Sequence, residues 1–172
     1  MIEFFLNLID AFNQNAVKYM VIGGQAVNFY GYARSTNDLD IWAENNLENR
    51  EKMVKAFIQL NYNADKCKEA LDHYKTDHKI TIYSKDNEII EIFDYAIKKD
   101  YRFGDFYRNV NRSTVFEIDI NFVAYEDLIK MKRDAGRKID LLDIEELEEI
   151  RKLTEKKDQG GKGMLDEKDR NA

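Results

Sequence analysis

No proline occurs among the 172 residues, so tight turns must rest on Gly, Asn and Asp, and each glycine marks a place where the chain bends or is closely approached. Five of the eight glycines stand at positions 23, 24, 31, 104 and 136. The other three, Gly160, Gly161 and Gly163, fall in a stretch running from Thr154 to Asn171 with almost no apolar side chains. Such a stretch cannot offset its ordering entropy by burial, so 156–172 is expected to be a disordered tail.

Between these marks the hydrophobic pattern switches between two periods. Ile2, Phe5, Leu6, Ile9 and Phe12 recur at helical spacing. Val17 to Ile22 is a short apolar run ending at Gly23-Gly24, as a buried strand would end, and 25–32 has helical character. Asp38-Leu39-Asp40-Ile41-Trp42 alternates like a half-buried strand, and 47–60 returns to helix. Lys79–Tyr83 and Glu88–Phe93 predict two strands, joined by the hairpin-type connection Ser84-Lys85-Asp86-Asn87. Phe116, Ile118, Ile120 and Phe122 alternate with polar residues and predict a further strand. Helices at about 125–135, stopped by Gly136, and about 139–153 close the order.

Strands interleaved with helices, with at least one hairpin, give an α+β class: a mixed, mainly antiparallel sheet with helices packed on it and a helical C-terminal part. The expected division is an α/β core over 1–123, a helical pair over 124–155 and the tail.

Charge and composition exclude several classes. The net charge of -6 argues against a protein that coats a nucleic-acid backbone non-specifically. No apolar run approaches the roughly 20 residues of a membrane span. One cysteine, Cys67, leaves no internal disulfide and no thiolate zinc cluster. Few thiols and no cationic leader before Phe4-Phe5 read as cytoplasmic. His73 and His78 lack acidic or Cys partners at metal spacing and read as surface histidines.

The chemistry is concentrated in Val21-Ile22-Gly23-Gly24-Gln25-Ala26 and Arg34-Ser35-Thr36-Asn37-Asp38-Leu39-Asp40-Ile41. Glycines between a strand and a helix let backbone approach a ligand, and the helix start offers N–H groups suited to phosphate. A tight turn with no ligand is the plainer alternative. Asp38 and Asp40 share one strand face. Two carboxylates about 5 Å apart at an effective dielectric near 20 repel by about 3 kcal/mol. A divalent cation relieves that repulsion, and magnesium uses one or two carboxylates plus phosphates and water.

This combination resembles the nucleotidyltransferase superfamily related to DNA polymerase beta. More narrowly, Gly23-Gly24-Gln25-Ala26 with Arg34, Thr36, Asp38 and Asp40 looks like small bacterial nucleotidyltransferase-like proteins, including toxins of abortive-infection systems. Leu128 to Lys132 and Asp140 with Asp143 are similar to the terminal elements of that group. The resemblance spans about residues 15–150.

It implies a nucleotidyltransferase that moves NMP from an NTP to a hydroxyl acceptor with two Mg2+ ions. Asp38, Asp40 and a third carboxylate would be catalytic and hold the metal. Glu91, between hydrophobic residues in a strand where an unpaired carboxylate is costly, is the expected third, with Asp94 as runner-up and Glu88 as a solvated strand end. A glutamate there departs from the commoner aspartate. Gly23, Gly24, Arg34, Thr36 and Lys132 would bind the nucleotide. An ion pair of Arg34 with a neighbour such as Asp38, and an exposed Lys132, are the non-functional alternatives. Asp140 and Asp143 at a helix start read as structural or supporting.

The acceptor is open between a small molecule, a protein side chain and a tRNA end. A homodimer or an antitoxin are the partners implied. An inert protein of the same fold, acting as a binding or regulatory partner, is the rival reading. Two further features carry less. Glu117 and Asp119 form a second i, i+2 acidic pair, read as an ordinary solvent face. Lys98 to Arg112 combines five basic residues with aromatics; stacking on a nucleotide or an RNA end competes there with an amphipathic segment whose aromatics join the core.

Overall fold

The computed structural model describes residues 2–83, 89–94, 98 and 100–166. The elements are α1 (Ile2–Gln14), β1 (Tyr19–Val21), α2 (Gly23–Phe29), β2 (Asp38–Ala43), α3 (Leu47–Gln59), α4 (Ala64–Asp77), β3 (Lys79–Tyr83), β4 (Ile89–Phe93), α5 (Phe103–Tyr107), β5 (Asn111–Val115), β6 (Ile118–Phe122), α6 (Tyr125–Ala135) and α7 (Lys138–Asp166). The strands form one sheet in the order β3-β4-β2-β1-β6-β5. Pairs β1–β2, β3–β4 and β5–β6 are antiparallel, whereas β1–β6 and β2–β4 are parallel. The class is α+β with a mixed sheet, as the alternation of periods predicts.

The central strands are short and apolar, so they sit in the middle. All three residues of β1 are buried, and it pairs with β2 through Val21 and Ile41. On β2, Leu39, Ile41 and Ala43 are buried while Asp38 and Asp40 are half-buried on the other face. The core collects Phe12, Tyr19, Trp42, Tyr74, Ile90 and Ile92, all almost inaccessible. Helices α1, α3 and α4 pack against one another in series and reach the sheet at β6 and β3, while α2 lies against β2 and α6, and α7 against α6. No described helix is long and apolar enough to cross a membrane.

Three expectations are corrected. Residues 64–77 form α4, which the sequence reading lacked; its apolar stripe is only Cys67, Ala70, Leu71 and Tyr74. Phe116 and Glu117 are not part of a strand. Both have positive φ, 48° and 65°, and they form the two-residue turn between β5 and β6, where a primed hairpin turn needs that conformation. Phe116 is consequently exposed.

Helix α7 runs on to Asp166 instead of giving way to a tail at 156. Residues 167–172 and the Ser84–Asn87 connection lie outside the described residues.

Candidate functional site

The site is built where β1 hands over to α2. Ile22 donates its backbone N–H to the carbonyl of Asp40 at 2.9 Å, which fixes the turn to the middle of β2. Gly23 has φ of 63°, in the left-handed region, and a Cβ there would lie 1.9 Å from Asp40 Oδ2. A Cβ on Gly24 would lie 2.7 Å from Thr36 Oγ1 and 3.1 Å from Arg34 Nη2. Both glycines therefore stand where side chains of the Arg34–Asp40 segment already occupy the space.

Period two places Asp38 and Asp40 on one face of β2, and the parallel register sets Asp40 directly beside Glu91 of β4. One carboxylate oxygen from each of Asp38, Asp40 and Glu91 lies within 4.8 Å of the others. At that separation and an effective dielectric near 20, each pair repels by about 3 kcal/mol. Burial, with the charges of Asp38 and Glu91, pushes the Asp40 carboxyl up to about 6. Thr36 Oγ1 donates to Asp38 Oδ1 at 3.0 Å, which orients that carboxylate. The donor set is all oxygen, carries excess negative charge and suits a hard divalent cation.

The trio and Gly23 line a cleft of about 280 Å³, whose other walls include Phe93, Met131, Lys132, Arg137 and Asp140. Lys132, from α6, is 4% exposed. Its ammonium lies 3.1 Å from Asp140 Oδ1 and 2.7 Å from Asp143 Oδ2, both of α7. Arg34 pairs with Asp143, Nε to Oδ1 at 2.7 Å, across 109 positions of sequence. Arg137 donates from Nε to Asp140 Oδ2 at 2.7 Å. Three cations thus share two buried carboxylates, leaving a surplus of one positive charge beside the acidic trio.

The structure brings together most residues expected from the sequence. Asp38, Asp40, Glu91, Gly23 and Lys132 share the cleft. Gly24, Arg34 and Thr36 stand behind its rim, where Arg34 contacts Asp143 rather than Asp38. Lys132 is buried, not exposed. Asp140 and Asp143 are more than helix-start acids, since they are the buried anions of this network.

Asp94 does not join the trio. It accepts from Asn45 at 2.9 Å, and its carboxylate lies 2.7 Å from His78 Nδ1, so His78 is a half-buried, hydrogen-bonded residue rather than a plain surface histidine. Glu88 lies outside the described residues. Glu117 sits in the β-turn and Asp119 on β6, where it accepts from Thr114; both are exposed, as the solvent-face reading expects. In the 98–112 segment Phe103 and Phe106 are buried against Trp42, at ring distances of 5.7 and 5.1 Å, which is the core role.

Sequence reasoning missed Arg137 and Lys79. Arg137 stands three before Asp140, a helical spacing that could have flagged it. Lys79, whose Nζ is 2.7 Å from Glu91 Oε1, is visible only once the β3–β4 register is known.

The six-stranded mixed sheet with its helices is consistent with a nucleotidyltransferase-like fold. Among solved structures, the chain is similar to lincosamide antibiotic adenylyltransferase LnuA in its lincomycin-bound crystal structure, with a TM-score of 0.53 and 16% identity, covering 82% of this chain and 92% of that one. No protein-family model matches the sequence, and no curated protein matches it.

Proposed function

We propose that this chain is a divalent-metal-dependent nucleotidyltransferase that moves NMP from an NTP to a hydroxyl on a small-molecule acceptor. The observation that carries this reading is the convergence of Asp38, Asp40 and Glu91 within 4.8 Å beside the Gly23 turn. Those three carboxylates would hold the metal, expected from the sequence to be two Mg2+ ions. When bound, it would lower the pKa of the acceptor hydroxyl and neutralise charge on the phosphates.

The chain's own residues supply the remainder. Gly23 would border the triphosphate from the cleft wall, and Gly24, buried behind it, lets Thr36 and Arg34 close in on the turn. Lys132 and Arg137 add positive charge on the cleft wall, fixed in advance by Asp140 and Asp143. Arg34 and Thr36 act behind the glycines, Thr36 by holding Asp38. Glu91 would also accept the acceptor's hydroxyl proton. The new bond joins the acceptor oxygen to the α-phosphorus, the α–β phosphoanhydride bond breaks, and pyrophosphate leaves.

Support for a small-molecule acceptor comes from the structural neighbour, a lincosamide antibiotic adenylyltransferase with lincomycin bound. A small hydroxyl compound also suits a cleft of about 280 Å³ with the apolar wall Phe93, Leu128 and Met131. The test is transfer of label from NTPs marked at the α-phosphate, with Mg2+, to a panel of hydroxyl acceptors that includes lincosamides, a protein fraction and tRNA. Metal-dependent appearance of label on a small acceptor supports the reading. Label moving to tRNA or protein instead would replace the acceptor class, and no transfer to any acceptor would count against the enzyme.

A further inference from the structure

Lys79 stands on the edge strand β3, where the antiparallel register pairs Lys79 with Phe93 and Thr81 with Glu91. Lys79 and Glu91 are therefore diagonal neighbours on the face that carries Asp40, a distance long side chains span readily. The Lys79 ammonium lies 2.7 Å from Glu91 Oε1 and 5.9 Å from the centre of the Phe93 ring. Glu91 is less exposed than its partner, 23% against 44%. The longer arm of a glutamate lets this carboxylate face both the acidic pair of β2 and a cation on β3.

We propose that Lys79 is a resident cation at the third carboxylate, competing with the divalent metal for Glu91. The inference rests on the reading of Asp38, Asp40 and Glu91 as metal ligands. With the ammonium in place, the three carboxylates keep a surplus of two negative charges, which one divalent ion balances. Asp38 and Asp40 then form the primary metal pair. Glu91 joins the metal only as Lys79 yields it. An exposed ion pair alone contributes little to stability, so its effect belongs to metal affinity rather than to folding.

The experiment is calorimetric titration of the full chain with Mn2+, without nucleotide, on the wild type, Lys79→Met, Glu91→Gln and the double variant. Lys79→Met keeps the length of the side chain on an exposed edge position, and circular dichroism checks that it folds. Sharing of Glu91 predicts that Lys79→Met tightens Mn2+ by roughly tenfold, the equivalent of about 1.4 kcal/mol, and that the same substitution changes little in the Glu91→Gln background. Unchanged or weaker Mn2+ binding in Lys79→Met overturns the proposal. So does tightening that persists with Gln at 91, because the effect would then be the general field of one removed charge. If neither the wild type nor Lys79→Met binds Mn2+, the metal reading of the trio fails together with this inference, which separates that outcome from failure of the inference alone.

Discussion

Gly23 and Asp40 are locked together: a side chain on the glycine would begin 1.9 Å from the Asp40 carboxylate oxygen, and the backbone there has φ of 63°. A side chain therefore cannot be added to the turn without moving the acid.

Gly23→Ala is expected to lose about 2 kcal/mol of stability, since left-handed backbone costs an L-residue about 1–2 kcal/mol before the contact with Asp40 is relieved. Because relief requires Asp40 to move, nucleotide transfer should fall with it. Urea unfolding and initial rates on the same preparation check both outcomes.

Asp40→Asn should separate stability from activity. Transfer is expected to fall at least about 100-fold, the scale of losing a major electrostatic stabiliser. Stability should move the other way at neutral pH. The Asp40 carboxyl is held at about 6 in the fold, above its ordinary value of 3.8. A raised carboxyl binds more protons in the native state than in the unfolded one between those values. Wild-type stability from this group is therefore full below pH 4 and declines as pH rises to 6, by roughly 3 kcal/mol at most. Asp40→Asn should be the more stable protein at pH 7 and lose that advantage near pH 4. Thermal unfolding across pH 4–7.5 measures the crossover.

Asp143→Ala is expected to be the costliest change on α7. It strips both Arg34 and Lys132 of a buried partner, and removing one side of a buried charge network costs about 3–5 kcal/mol. Glu148→Gln, in the exposed pair with Arg133, should change stability by less than about 0.5 kcal/mol. Chemical denaturation of the two variants side by side reads the contrast.

Mg2+ should stabilise the wild type and raise its melting temperature, the gain in unfolding free energy growing with concentration to about 2.7 kcal/mol at one hundred times the dissociation constant. A chelator should reverse the rise. Asp38→Ala should show neither, because Asp38 is one of the three carboxylates that meet at the cleft.

Local patterns in the sequence located the front half of this site. The apolar run into Gly23-Gly24 and the alternation of Asp38 to Trp42 are short-range signals, and β1, α2 and β2 lie close to where they predict. Glu91 was visible as a charge inside an apolar strand. That it sits beside Asp40 depends on the β2–β4 register, which no local pattern encodes. The Arg34–Asp143 pair joins residues 109 apart, and Lys132 is buried only because α7 closes over it, so both were read too locally. Helix α4 presents a narrow apolar stripe amid charged residues, and β5, Asn111–Val115, is a largely polar edge strand, so neither produces a strong period. Phe116 passed for a strand residue because its hydrophobicity matched the alternation, whereas its positive φ makes it a turn.

In the proposed enzyme Asp38, Asp40 and Glu91 hold a metal–nucleotide complex against the Gly23 turn. Calorimetric titration of NTP with Mg2+ into the wild type and into Asp38→Ala tests it most directly. The account predicts saturable binding to the wild type that requires Mg2+ and disappears in the variant. Absence of binding to the wild type, or equal binding by a folded Asp38→Ala protein, would contradict it.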